Sequence, residues 1–261
     1  MMMPVLFVSH GAPTLALEPG ETGAALGKLG QQLPKPDAIL VVSAHWETSV
    51  PTVSRVRQPE TIHDFRGFSD ELHKLQYPAP GTPELAESVV LALQQAEIPV
   101  QADDARGLDH GAWVPLSLMY PQADIPVTQL SLQPDRSPAW HVALGHALRP
   151  LRERRVLITG SGSITHNLDA LRKHPQGEHA PAWVTEFCDW MAAKIADGDE
   201  ASLQAYRQLA PHAVLNHPTN EHLLPLFVAL GAAGDIKQSQ RLNSVMTYGM
   251  LAMDMWSFDA S

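Results

Sequence analysis

Thirteen of the 261 residues are histidine, and four of them stand where a sheet protein collects its ligands. His10 closes the apolar run Phe7-Val8-Ser9, and His45 closes Val41-Val42-Ser43-Ala44. In open α/β sheets, ligands gather in the crevice outside the carboxyl ends of the strands, so imidazoles at two such ends can face one crevice. Taken singly, each is better explained as a turn residue bonded to a backbone carbonyl. His166 follows a third apolar run, Val156-Leu157-Ile158-Thr159, through Gly160-Ser161-Gly162-Ser163-Ile164-Thr165, a flexible turn of the kind that carries a side chain over a sheet edge. His222 ends Asn216-His217-Pro218-Thr219-Asn220-Glu221-His222, read as the opening of a helix over 219–230. There Glu221 complements the positive end of the helix dipole. The same end keeps His222 neutral, the form that ligates metals. Three or four imidazoles meeting at a point suit Fe(II) or Zn(II), whereas Ca and Mg prefer oxygen. No H-x-x-x-H or H-E-x-x-H spacing is present, so spacing and periodicity alone leave the metal and its absence level.

Two further histidines have partners nearby. His110, in Asp109-His110-Gly111, reads equally as a substrate contact and as a turn histidine bonded by Asp109. His63, in Thr61-Ile62-His63-Asp64, is similar, with Asp64 able to orient a ring. The loop 62–68 is a candidate lid in which Arg66 offers a cation to a substrate carboxylate, although an exposed loop arginine is the plainer reading. His73, His141, His146, His174, His179 and His212 have no such context and are expected at solvated positions. Tyr77, Tyr248 and Trp113 read as packing or pocket-wall aromatics, and Cys188 as a buried, inert thiol.

The elements that must hold these residues alternate along the chain. Apolar runs at 4–9, 38–43, 125–132 and 155–160 are short, rich in β-branched residues and bounded by Gly, Pro or Ser, as strands covered on both faces are. Between and after them, 82–96, 138–149, 181–196 and 219–230 carry helical spacing or capping signals, Thr82-Pro83-Glu84 the clearest. Residues 244–258 add one or two strands, antiparallel at an edge. This pattern predicts an α/β fold with a mostly parallel central sheet flanked by helices. With no repeat and no composition shift, residues 1–261 read as a single domain with its cleft at the carboxyl ends of the strands.

Composition narrows the function classes. Eighteen basic against 28 acidic residues give a formal charge of −10, which argues against a nucleic-acid surface or an anionic membrane face. The single cysteine rules out a disulfide framework and a cysteine-based zinc cluster. No apolar run reaches the roughly 20 residues of a bilayer span, and the N-terminus lacks a basic leader, so a cytoplasmic protein is expected. Neither glycine-rich nucleotide motif is present, and Ser161 lacks the G-x-S-x-G spacing of a nucleophile elbow.

The ordered motifs Ser9-His10-Gly11-Ala12-Pro13, Ser43-Ala44-His45-Trp46, Thr61-Ile62-His63-Asp64-Phe65, Tyr77-Pro78-Ala79-Pro80-Gly81, Leu108-Asp109-His110-Gly111-Ala112-Trp113, Gly162-Ser163-Ile164-Thr165-His166-Asn167-Leu168 and Pro218-Thr219-Asn220-Glu221-His222 resemble those of the class III extradiol ring-cleavage dioxygenases, in the 4,5-DOPA dioxygenase branch. The resemblance runs from residue 4 to about residue 250. It implies one divalent metal held by His10, His45 and His222, with His166 as a fourth ligand or as the acid/base. It also implies non-haem Fe(II) for activity, zinc as a metal found in the branch, and a catechol such as DOPA as substrate alongside O₂. The third ligand of the wider class is a carboxylate. Here His222 takes that seat, and in a helix its neighbour Glu221 would point about 100° away. A site this rich in imidazole would also hold zinc, and a zinc-dependent hydrolase is the alternative reading.

Overall fold

The computed structural model describes residues 2–174 and 179–258, so Met1, 175–178 and 259–261 of the expected domain lie outside the described residues. The described residues form ten strands: β1 (Val5–Ser9), β2 (Ala38–Glu47), β3 (Thr52–Ser54), β4 (Gln101–Asp103), β5 (Val127–Leu132), β6 (Val156–Gly162), β7 (Ser239–Asn243), β8 (Met246–Thr247), β9 (Leu251–Ala252) and β10 (Met255–Phe258). Eight make one sheet in the order β4-β3-β5-β2-β6-β1-β10-β7, and β8 and β9 form a separate ribbon. The central four, β5, β2, β6 and β1, are parallel, which puts their carboxyl ends along one edge. β10 and β7 extend the sheet antiparallel beyond β1.

The apolar runs form strands because both faces are covered. In β1, Val5 and Phe7 enter one core with Leu40 and Val42 of β2, while Leu6 and Val8 enter the other with Ile39 and Val41, the two-residue alternation of a pleat. Helices Pro83–Gln95, Pro138–Leu148, Ala182–Asp197 and Leu224–Ala232 close the first core, and Gly20–Gln32 with His110–Met119 close the second. Fully buried Phe7, Phe187 and Phe227 each contribute roughly 1.5–3 kcal/mol relative to exposure. Thr82 and Ser137 cap their helices through Leu85 N and Trp140 N, as their sequences suggest. None of the described helices is long and apolar enough to cross a membrane.

Three expectations need correction. Residues 244–258, expected to add one or two antiparallel strands at an edge, hold three, of which β8 and β9 pair apart from the main sheet and β10 lies inside it, the edge being β7. The helix expected over 219–230 begins only at Leu224. Pro225 would drive its ring into the carbonyl of Glu221 in a longer helix, so 221–223 form a turn in which Leu223 N and Leu224 N both donate to Asn220 O. His141, expected at a solvated position, is fully buried and its Nδ1 bonds to Ser137 O.

His141 has a consequence for acid stability. Burial pushes it, and equally buried His217, down from 6.5 to about 4. Each folded value lies below the unfolded one, so their stabilisation is complete above pH 6.5 and is lost as pH falls toward 4, by up to roughly 3 kcal/mol per residue. Thermal melts between pH 7 and pH 5 should therefore show a shallower acid slope for His141→Gln than for wild type. Parallel slopes would contradict this assignment.

Candidate metal centre

The segment after β1, the end of β2 and the turn before Leu224–Ala232 bring His10, His45 and His222 together at the carboxyl edge of the sheet. His10 follows β1 directly, and its N–H donates to Gly162 O. β2 keeps its ladder with β6 through Ser43, and its pairing with β5 is irregular between Val42 and Glu47. An irregularity of that kind re-aims side chains, and His45 sits within it. His222 lies in the turn before Leu224–Ala232, where its carbonyl accepts from Ser163 N at 2.8 Å. The chain can run this close to β6 because of two glycines. A Cβ on Gly162 would lie 2.1 Å from His222 O, and one on Gly160 would lie 2.3 Å from Pro225 O. The pair that reads in sequence as a flexible turn is thus the end of β6, bare so that His222 can approach.

What stands behind each ring fixes which nitrogen faces inward. Ser161 Oγ donates to Gly111 O, so toward His10 Nδ1, 3.0 Å away, it can only accept. Asp64 Oδ2 faces His45 Nδ1 at 3.4 Å, and Glu221 Oε1 accepts from His222 Nδ1 at 2.9 Å. Each Nδ1 therefore carries the proton and each Nε2 presents a lone pair. His10 Nε2 and His45 Nε2 face one another at 3.0 Å, a repulsive arrangement for two neutral acceptors unless a cation lies against both. A ligand atom from each of the three rings falls within 4.8 Å of the others. The donor set fits a borderline divalent ion, so these residues form a site able to hold a metal.

The electrostatics agree. Burial, reinforced by the neighbouring imidazoles, pushes His10 and His222 well below 6.5 and His45 down to about 4. All three are neutral at pH 7, as ligation requires. Asp64 stays ionised: burial pushes it up, but hydrogen bonds from the His110 ring and backbone outweigh that and hold it at about 2.

The remaining candidates separate. His166 stacks on His222, rings 3.3 Å apart and 9° from parallel, and lines the same cavity of about 540 Å³ as the three imidazoles. Burial brings it to about 4. His110, at the start of helix His110–Met119, lines the cavity with its Nδ1 on Asp64 Oδ1 at 3.0 Å. His63 does not line it: Nε2 bonds to Leu75 O and the ring packs against Phe65, His73 and Trp113. Asp64 orients His110 and reaches His45 rather than His63, and it is Asp64, Phe65, Arg66 and Phe68 of the expected lid that wall the cavity. Tyr248 joins that wall and touches Thr14 Oγ1. Cys188 is buried away from the centre, its thiol pushed up to about 12 by burial. Ser161 carries no sequence signal for the role it holds, and Asp64 carries one only as a ring-orienting partner of His63, not of His110 and His45. Glu221 does carry one, but as a dipole partner rather than a partner for His222.

Fold and site place the chain in one family: residues 5–255 match the model for the catalytic LigB subunit of aromatic ring-opening dioxygenase, and the chain belongs to that family. Its small-molecule substrate is accordingly aromatic, with O₂ as co-substrate. Among individual proteins, it is 40% identical over 98% of its length to a Beta vulgaris protein named 4,5-DOPA dioxygenase extradiol, covering 96% of that protein. It is 41% identical over 88% of its length to an Escherichia coli protein of the same name, covering 85% of it. The crystal structure of an uncharacterized Escherichia coli K12 protein superposes with a TM-score of 0.81 at 34% identity, over 98% of this chain and 99% of that one.

Proposed function

We propose that the protein is an extradiol ring-cleavage dioxygenase that inserts O₂ into a catechol such as DOPA, with His10, His45 and His222 holding Fe(II). The observation that carries this reading is the convergence of three imidazoles, each with a ligand nitrogen within 4.8 Å of the others, in a cavity walled by Phe65, Phe68, Leu168 and Leu171. When bound, the ion supplies Lewis acidity that lowers the pKa of the catechol hydroxyls and, as iron, a path for electrons between ring and O₂. The chain's own residues do the rest. The apolar wall receives the ring and excludes water. His166, neutral at pH 7, accepts a hydroxyl proton and returns it to the opened product. His110, held by Asp64, presents its Nε2 as a hydrogen-bonding partner for substrate oxygen. Arg66 and Arg172 stand at the cavity wall, where a substrate carboxylate finds cationic partners. This chemistry suits the cytoplasm, where Fe(II) stays reduced. The hydrolytic alternative gains nothing from the site, which has no feature specific to an amide or ester.

The test is anaerobic Fe(II) reconstitution followed by oxygen uptake and absorbance on a catechol panel that includes DOPA. Oxygen consumption matched by a yellow ring-opened product is expected. His166→Ala should keep its metal and lose turnover by roughly 10²–10⁴-fold, the range for a removed acid/base. Metal loss in that variant would make His166 a ligand instead, and no oxygen uptake by iron-loaded wild type would overturn the reading.

A further inference from the structure

The dioxygenase reading gives Asp64 only the task of holding His110, although its carboxylate also reaches a metal-facing ring. Oδ1 accepts from both the backbone N–H and the ring Nδ1 of His110, each at 3.0 Å. Oδ2 faces His45 Nδ1 at 3.4 Å. The His45 and His110 rings lie 3.9 Å apart between centroids, so one carboxylate stands behind two imidazoles that face the same cavity. Across the centre, Glu221 does the same for a second pair, with Oε1 2.9 Å from His222 Nδ1 and 4.0 Å from His166 Nδ1.

We infer that Asp64 is a positioning residue that fixes the tautomer of two imidazoles at once, keeping the Nε2 of His45 bare for metal and the Nε2 of His110 bare for substrate. The inference rests on the proposed metal centre but is separable from it. A carboxylate is required here because every group facing it donates: one backbone N–H and two ring N–H groups. The backbone N–H of His110 cannot change its role, and this makes an amide substitution informative. In Asp64→Asn the amide oxygen must turn toward His110, because the NH₂ group there would meet an obligatory donor. The NH₂ is then left facing His45 Nδ1. Two donors repel, so His45 moves its proton to Nε2, the atom that ligation needs bare. The loop stays pinned to the start of helix His110–Met119, since the two bonds to His110 survive. A purely structural Asp64 would tolerate the change.

Two measurements read this out without relying on turnover. Long-range ¹H–¹⁵N NMR of the protein with Zn(II) added, with the His45 ring assigned by comparison with His45→Gln, should show His45 as the Nδ1–H tautomer with Nε2 on the metal in wild type and as the Nε2–H tautomer, off the metal, in Asp64→Asn. Chelator competition with Zn(II) as probe should show affinity falling roughly 10–100-fold in Asp64→Asn, the usual cost of losing the partner behind a metal-bound histidine, with the melting temperature of the metal-free protein unchanged. Unchanged tautomer and affinity in Asp64→Asn, beside a wild type that binds zinc, would overturn the positioning role and leave the metal centre standing. A wild type that binds no divalent ion would overturn both. If Asp64→Asn unfolds, Asp64→Glu provides the second arm: it keeps the acceptor character, and His45 should remain Nδ1–H. An Nε2–H His45 in Asp64→Glu would count against the inference.

Discussion

Replacing His222 by alanine should reduce bound metal from a full complement to a trace and abolish ring cleavage. Its Nε2 is one of three lone pairs at the centre, and the His10–His45 pair alone offers two. The fall in affinity should exceed the roughly 10–100-fold that follows loss of a partner behind a ligand. Stability offers an independent reading: free Fe(II) or Zn(II) at a hundred times its Kd stabilises a binding protein by about 2.7 kcal/mol, so metal should raise the melting temperature of wild type and not of His222→Ala. His63→Ala is the internal control. That ring bonds to Leu75 O outside the cavity, so its loss should leave metal content untouched. Stoichiometric metal in His222→Ala would remove His222 from the ligand set.

Gly162→Ala should damage the same centre without altering any group that touches metal or substrate. Its new methyl would sit 2.1 Å from His222 O, so strand and turn must part and the Ser163 N to His222 O bond must break. Overpacking of this kind costs roughly 1–3 kcal/mol, and His222 shifts with its carbonyl, so metal affinity should fall along with the melting temperature. Gly27→Ala is the counterpart. It lies within helix Gly20–Gln32, where the nearest outside atom is Leu118 O at 3.6 Å, and helix propensity favours alanine there by roughly 0.5–1 kcal/mol. A Gly162→Ala protein as stable and as metal-competent as wild type would show that the close approach does not hold His222 in place.

How much of this is legible in the sequence follows from where physical periodicity exists. The four central strands are legible because short continuous apolar runs bounded by Gly, Pro or Ser fit little besides strands covered on both faces. β3 and β4, three residues each, are too short to carry a period, and β7 is a polar edge strand. Helix His110–Met119 is buried on nearly every side and holds Pro115, so it shows no amphipathic stripe. Helix Gly20–Gln32 hides behind its glycines. At 219–230 the capping signals of Thr219 and Asn220 point one way and Pro225 another, and the proline's demand on the preceding turn decides where the helix begins. The site divides in the same way. His10, His45, His166 and His222 are legible from strand ends and ordered motifs, and all four line one cavity. Asp64, Ser161 and the Gly160–Gly162 pair act through contacts between segments far apart in the chain, and no local pattern encodes those.

The position of β10 bears on how the molecule is made. β1, which delivers His10, is paired on one side with β6 and on the other with β10, from Val5 opposite Phe258 to Val8 opposite Met255. β1 leaves the ribosome long before β10 is made, and until then its edge is open to any extended chain that meets it. Pairings so distant in sequence form slowly, and the His222 turn also emerges late. Metal can meet all three imidazoles only once β1 and the His222 turn have both been made, and a nascent chain halted before residue 255 leaves the β1 edge unsealed.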